Sequence, residues 1–398
     1  MTTRGRAALA LGVLTYVAGW AFGSRPLYVV AVGLILTVLL AWLAVRLTAR
    51  PAGLRRSMPA MPLEGDDVPV RVELELESKF APAGITLVER YKRLGARRTE
   101  LRRDGRHLWA RYVLEAVPRG RYAIDEAVVV VEDPFGLERR EPRLTEPASL
   151  VVYPKLVELE RLFSDSGART HDGRRMLLRR PSGFDLHSVR EYEHGDSLRK
   201  VHWGTTARRG QLMVKELEDS PRDEVAVVLD TDPAAVVGES FDVQVRAAGS
   251  LLLAHVRRGR RALLVINGRQ REQLGVRSPE GDWHAALDLL AAADPEPGPP
   301  LAALLADESS AVGRALELAV VTAALPPRLV ERLVDRALGS RHISLVLVDP
   351  ASFAGAQAKP WPELLRLQAA GVAVAVVRDG DDLAERLGDG RVAERAHA

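Results

Sequence analysis

Three histidines and two serines crowd the stretch from residue 187 to residue 203, where side chains able to do chemistry are densest. His187, His194 and His202 stand seven and eight residues apart, which matches no familiar metal-ligand pattern. Ser197 lacks the Gly-x-Ser-x-Gly turn that presents a hydrolase nucleophile. The carboxylates around them sit where they would cap helices or pair with arginines. The run Arg190-Glu-Tyr-Glu-His-Gly-Asp-Ser-Leu-Arg-Lys-Val-His-Trp203 therefore reads as a structural or recognition element, and a hydrolase centred on the histidines is the alternative.

The local chemistry of this run predicts its own scaffold. Gly195 gives the chain an entry turn, and Asp196 is placed to cap a short helix from Ser197 to Trp203. On that helix Arg199 and His202 share one face at i and i+3, and Leu198 and Val201 share another. Arg190, Asp196, Arg199 and Arg208 are expected to form one buried ion-pair lattice that specifies geometry more than stability. Arg190, Tyr192, Asp196, Arg199 and Trp203 are the residues whose loss would most damage the module.

Elsewhere the exclusions are firm. The chain of 398 residues has no cysteine, so disulfides and thiolate metal sites are ruled out. No Walker lysine and no Gly-x-Gly-x-x-Gly loop supports nucleotide binding. A net charge of +3 comes with acidic residues interspersed almost everywhere, and only six of the 56 basic residues are lysine. No aromatic-interleaved basic stripe is present, so nucleic acid is not an expected partner.

At the amino end, residues 1–50 read as a transmembrane hairpin, with spans at about 7–24 and 26–46. Trp20 and Tyr28 would lie at one interface and Trp42 at the other. Arg4 and Arg6 precede the first span, and Arg46, Arg50, Arg55 and Arg56 follow the second, whereas the turn holds only Arg25. The positive-inside rule then puts the soluble body in the cytoplasm of a multi-pass membrane protein. If the first span were instead a cleaved signal peptide, the second would still anchor the body on that side.

Residues 62–154 alternate apolar and polar side chains in short runs, at Val70–Leu76, Ile85–Tyr91, Leu108–Val117, Tyr122–Val131 and Leu150–Tyr153. They predict an antiparallel, β-sandwich-like domain. Pro118-Arg-Gly-Arg-Tyr122 and Asp133-Pro-Phe-Gly-Leu137 read as turns whose chemistry is geometric. Residues 155–220 connect, with helical spacing from Leu156 to Phe163 and an arginine-crowded loop from Gly167 to Gly183 that reads as a solvated flexible loop, with contact to anionic lipid headgroups as the alternative.

From 221 to 380, buried-strand runs at Val225–Asp230, Ala262–Ile266, Leu316–Thr322, Ile343–Asp349 and Val372–Val377 alternate with helical patterns. The helices are expected at Phe241–Arg258, Trp283–Ala293, Arg328–Leu338 and Pro362–Ala370. That alternation predicts a doubly wound α/β domain with ligands at the carboxyl ends of its strands. The fold class of the whole is thus α+β multidomain, closed by a polar tail at 381–398.

The run at 190–203, with Thr205-Thr-Ala-Arg208 and Leu212-Met-Val-Lys-Glu-Leu-Glu218 after it, resembles the signature of the domain-of-unknown-function-58 family. These are membrane-anchored bacterial proteins with a von Willebrand A-like domain. The hairpin, the Asp133-Pro-Phe-Gly-Leu137 turn and the α/β half extend the resemblance over nearly the whole chain. It implies a von Willebrand A-like fold for 221–380, in which Asp230 resembles the first residue of a metal-ion-dependent adhesion site. Such a site uses Asp-x-Ser-x-Ser to hold a hard divalent ion such as Mg²⁺, with a distant Thr and Asp completing the shell. Here the run is Asp230-Thr-Asp232-Pro-Ala234, and Ala323 and Ala324 follow the strand that ends at Thr322. Asp232 can offer oxygen and Ala234 cannot, so the site reads as eroded. The resemblance also implies a partner, a MoxR-type AAA+ ATPase, together with membrane transglutaminase-like proteins. The function expected is a non-enzymatic scaffold or adaptor in assembly or remodelling of envelope-associated complexes. Metal-dependent ligand binding at Asp230 and Asp232 is the second expectation.

Overall fold

A computed structural model describes residues 1–77, 84–104, 107–167, 186–192, 201–217, 225–278, 281–339, 341–356 and 360–388. They divide into two units, Met1–Tyr153 and Pro154–Ala398.

Helices α1 (Thr3–Phe22) and α2 (Arg25–Thr48) open the first unit. Both are long and apolar enough to cross a membrane. Their packing is inverted relative to a soluble hairpin. Leu14, Val17, Trp20, Phe22 and Val29 face outward, while Gly5, Gly12 and Gly19 of α1 and Ala31, Val38, Ala41 and Val45 of α2 are buried. The three glycines recur every seven residues, so they stay on one stripe of the helix. A Cβ at Gly12 would stand 2.9 Å from Ile35 Cγ1, and one at Gly19 would stand 3.2 Å from Leu27 Cβ. Small residues at such a seam let two backbones approach where lipid offers no hydrophobic drive for association.

α1 starts and stops earlier than expected, and α2 overruns both of its expected ends. α1 begins before Arg4 because the Thr2 hydroxyl accepts the Gly5 N–H at 3.0 Å and caps the helix there. α2 continues past Arg46, whose guanidinium lies 4.9 Å from the centre of the Trp42 ring.

The rest of the unit is antiparallel. One sheet orders β1 (Pro51–Ser57), β2 (Val68–Leu76), β6 (His107–Leu114) and β5 (Arg102–Asp104). A second orders β10 (Arg143–Leu144), β8 (Ala127–Glu132), β3 (Gly84–Tyr91) and β4 (Gly95–Glu100), with β9 (Arg139–Arg140) also paired to β8. β7 (Gly120–Ile124) pairs with β11 (Ala148–Val152). Alternation fixes the faces: Val68, Val70, Val72 and Leu74 are fully buried and share one core with Leu87, Tyr91, Val129 and Leu150. The strand expected from Tyr122 to Val131 is two strands, because its halves pair with different partners, β11 and β3. Nothing in the apolar pattern announces β1, β4, β5, β9 or β10.

That core contains a charged cluster. Arg56 Nε donates to Glu89 Oε1 at 2.5 Å, and both side chains are almost wholly buried. The Tyr112 hydroxyl donates to Glu89 Oε2 at 2.5 Å and also meets the Tyr91 hydroxyl. Burial pushes the Tyr91 hydroxyl up to about 12 and raises Tyr112 further, helped by the negative charge of Glu89.

In the second unit, residues 154–162 run without regular structure before α3 (Phe163–Gly167), so the helix expected from Leu156 does not form. Instead the Val157 N–H donates to Ser250 Oγ at 3.0 Å, and Val157, Leu159 and Leu162 lie against a core. The apolar spacing serves an extended segment clamped by tertiary contacts.

The six-stranded sheet orders β16 (Glu272–Val276), β15 (Ala262–Asn267), β14 (Val225–Asp230), β17 (Glu317–Thr322), β18 (His342–Val348) and β19 (Ala373–Val377). All neighbours are parallel except β15 and β16. Along β14, Val225, Val227 and Leu229 join one core, while Ala226 and Val228 join another. Helices cover both faces, as parallel sheets require. The first core holds α5 (Ser240–Arg257), α6 (Trp283–Ala292), Phe353 of α10 (Pro350–Phe353) and α12 (Leu383–Leu387). The second holds α7 (Leu301–Ala306), α8 (Ala311–Arg314), α9 (Pro327–Leu338) and α11 (Glu363–Ala369). α12 corrects the polar tail expected from 381, because Leu383 and Leu387 are buried beneath the sheet; the remainder of that tail lies outside the described residues.

Candidate functional site

Strand register builds the first candidate. Leu229 of β14 pairs with Val321 of β17, so the next residues, Asp230 and Thr322, meet at the carboxyl edge of the sheet. The Thr322 hydroxyl donates to Asp230 Oδ2 at 2.8 Å. The nearby backbone N–H groups of Thr231 and Asp232 favour the charged form of the Asp230 carboxylate. Burial raises the Asp230 pKa and the neighbouring Asp232 charge adds to this, while the hydroxyl and the N–H donors pull against it.

Asp232 is held by its own turn. Its Oδ1 accepts the Ala234 N–H at 3.0 Å and caps a short 3₁₀ turn, Pro233–Ala235. The Thr231 hydroxyl reaches the carbonyls of Asn267 and Glu296 at 2.9 and 3.0 Å. Asp349 follows β18, two strands from β14, hence about 10 Å sideways at ordinary strand spacing. It is fully buried, with Oδ1 accepting the Ala351 N–H at 3.2 Å and Oδ2 3.8 Å from Arg378 Nε, beyond a hydrogen bond. The structure thus brings Asp230 to Thr322 and leaves Asp349 apart. Among the described residues, no three His, Asp or Glu side chains converge as a metal-binding group.

The signature segment forms the second candidate. β12 (Leu186–Glu191) pairs with β13 (Met213–Leu217), with Arg190 opposite Val214. The Tyr192 N–H donates to the Leu212 carbonyl at 2.9 Å, and Val201 bridges to Val214. The His202 N–H donates to the Met213 carbonyl at 2.8 Å, which fixes where the next helix starts.

That helix is α4 (Trp203–Arg209); of the helix expected from Ser197 to Trp203, residues 197–200 lie outside the described residues, and Val201 and His202 are not helical. Val201 is engaged in a bridge, and His202 is the cap: its Nδ1 accepts the Thr205 N–H at 3.0 Å. Thr206 Oγ1 accepts the Met213 N–H at 3.0 Å, tying α4 to β13. Gly210, at φ 70°, closes the helix in the left-handed region. Arg208 is exposed on α4. His194, Gly195, Asp196, Ser197 and Arg199 lie outside the described residues, as do the side chains of His187 and Arg190; the expected ion-pair lattice falls with them. The arginine-crowded loop also lies there.

Trp203 carries the unexpected feature. It is 68% exposed at the first turn of a helix pinned at both ends. Tryptophan is among the residue types enriched at binding hot spots. Nothing in the local sequence distinguishes it from a core tryptophan.

Comparisons with known proteins agree with the signature. Residues 188–354 match the family model described as protein of unknown function DUF58. The resemblance expected over nearly the whole chain narrows to this stretch, which leaves out the hairpin and the β-rich region. An uncharacterised Bacillus subtilis protein, YeaD, is 26% identical over 173 residues, which is 44% of this chain and 42% of that protein. The chain therefore aligns with less than half the length of that relative. A conjugative transposon lipoprotein from Bacteroides eggerthii aligns over 23% of this chain and 92% of its own, at 22% identity and TM-score 0.14. A Bacteroides uniformis β-glucuronidase aligns over 76% and 34% respectively, at 11% identity and TM-score 0.19. Neither score carries an argument about fold or activity.

Proposed function

We propose that this DUF58 chain is a membrane-anchored, non-catalytic adaptor whose signature segment docks a protein partner. The observation that carries the reading is Trp203, held outward by the His202 cap and the Thr206–Met213 tie. Aromatic anchors on pre-fixed elements lose little entropy on binding. The two-helix hairpin, apolar outside and small-residue inside, supports a multi-pass anchor. Arginines flanking both helices favour a cytoplasmic body. The doubly wound sheet is compatible with a von Willebrand A-like domain, and the family resemblance names a MoxR-type AAA+ ATPase as the partner, with a transglutaminase-like membrane protein beside it. The role would be assembly or remodelling of envelope-associated complexes.

Gentle detergent co-purification of the full chain from native membranes, with nucleotide present, tests the reading. An AAA+ ATPase should be recovered with the wild-type chain and lost with Trp203→Ala. Recovery unaffected by the substitution would move the docking surface elsewhere, and failure to recover any such ATPase would sink the adaptor. Protease added to spheroplasts should leave the body intact; digestion would reverse the topology.

A second reading has one observation in its favour. Asp230 and Thr322 stand together where a divalent ion would sit in a von Willebrand A-like domain. Both Asp230 and Asp232 already accept hydrogen bonds from the protein, which a cation would have to displace. Calorimetric titration with Mg²⁺ should give no heat that Asp230→Ala removes; such heat would establish the metal site.

A further inference from the structure

The turn at Asp133–Glu138 is built as a rigid mount. Asp133 is buried, and its two carboxylate oxygens accept the Phe135 N–H at 2.9 Å and the Glu138 N–H at 2.5 Å. The Gly136 N–H returns to the Asp133 carbonyl at 3.0 Å, with Gly136 at φ +66°. The mount displays Phe135, which is 68% exposed, more than any other large apolar side chain described in the first unit outside α1 and α2.

The turn is also joined to the start of α1. The Thr2 hydroxyl lies 2.6 Å from the Gly136 carbonyl and 2.9 Å from that of Leu137, and the Thr2 N–H donates to Leu137 at 3.0 Å. Gly5 permits this approach, since a Cβ there would stand 2.2 Å from the Leu137 carbonyl oxygen. The Arg4 guanidinium lies near Gly136, and Arg6, Arg139 and Arg140 are exposed around the same end. Glu132 and Glu141 are there too, and Arg139 pairs with Glu141 at 2.6 Å.

Arg4 and Arg6 keep the first turns of α1 out of the hydrocarbon, so Thr2 stands about 8 Å above the level of Ala7, among the headgroups. Whatever is bonded to Thr2 sits at that depth. A lone exposed phenylalanine on a soluble surface needs no explanation. One clamped to the end of a membrane span, amid arginines, has the lipid interface as its neighbour.

We propose that Phe135 inserts into the bilayer interface beside α1, while Arg4 and Arg140 engage anionic lipid headgroups. The Asp133–Glu138 turn thereby fixes the height of the β-rich region against the membrane. This rests on the reading that α1 and α2 span the bilayer, and the test separates the two.

The chain has no cysteine, so a single one can be placed and labelled without background. The full chain carrying Phe135→Cys or Leu36→Cys, labelled with a nitrobenzoxadiazole dye, is reconstituted in vesicles of phosphatidylcholine and phosphatidylglycerol. Spin-labelled lipids with the nitroxide near the headgroup or near the chain end serve as quenchers. The label at 36 should be quenched most by the deep nitroxide. The label at 135 should shift to the blue, lose most intensity to the shallow nitroxide, and lose less when phosphatidylglycerol is omitted. A deep signal at 36 with water-like, unquenched emission at 135 overturns the inference and leaves the span standing. An unquenched label at 36 overturns the span and the inference together.

Discussion

Thr322 and Asp230, 92 residues apart in the chain, are joined by a hydroxyl-to-carboxylate hydrogen bond of 2.8 Å across the carboxyl edge of the central sheet. The bond satisfies a half-buried carboxylate that burial otherwise penalises. Thr322→Val keeps the shape and removes the donor, so it should cost about 1–3 kcal/mol. Urea denaturation of the detergent-solubilised chain checks this; an unchanged midpoint would mean that water replaces the hydroxyl.

The glycine seam predicts a position-specific response. Gly12→Leu must push α1 from α2, at a typical overpacking cost of about 1–3 kcal/mol. Gly33→Leu, where nothing lies within 4 Å of the added Cβ, should leave the chain unaffected. Thermal unfolding in detergent compares the two, and equal shifts would refute the seam.

Buried charge gives the largest expected effect. Glu89→Gln strands the Arg56 cation inside the β-rich core and should cost about 3–5 kcal/mol. Arg56→Met with Glu89→Leu should recover most of that, since an apolar pair leaves no ion to desolvate. Equilibrium unfolding followed by Trp109 fluorescence measures both; a double variant as weak as the single one would contradict the account.

His255 predicts how stability depends on pH. It is buried on α5 and faces Glu317, Arg260, Arg258 and Asp165, and burial lowers its pKa from 6.5 to about 4. Between those values the unfolded chain binds the proton and the folded chain does not. Stability is therefore complete above about pH 6.5 and falls as pH drops toward 4, by about 3 kcal/mol for a shift of this size. Glu317, whose pKa is lowered mainly by Arg260 against the cost of burial, adds a loss in the same direction at lower pH. His255→Gln should flatten the profile between pH 6.5 and 4; an unaltered slope would assign it elsewhere.

What the sequence revealed depended on whether the signal was local. β14, β17 and β18 announce themselves as apolar runs because both their faces are covered. β2 shows its period of two because one face is. β4 and β5 carry Arg97, Arg98, Arg102 and Arg103 with no apolar alternation, and they are strands only because β3 and β6 offer partners. β16 is another such edge. The helix from Trp203 shows the same limit, since its start depends on the Met213 carbonyl and the His202 ring. At the sheet edge, Asp230 was visible as the end of a strand, whereas its union with Thr322 required the register of β17. The exposure of Trp203 and Phe135 left no trace in composition, because neither residue type reports which way it faces.

The alternation along β14 has a mechanical corollary. Val227 and Val228 are adjacent in sequence yet support opposite layers of helices, so neither layer has a strand of its own to fall back on. Melting one layer strips the other of its floor. The domain should therefore unfold in a single step, with amide protons on the two sides of the sheet exchanging at matching rates.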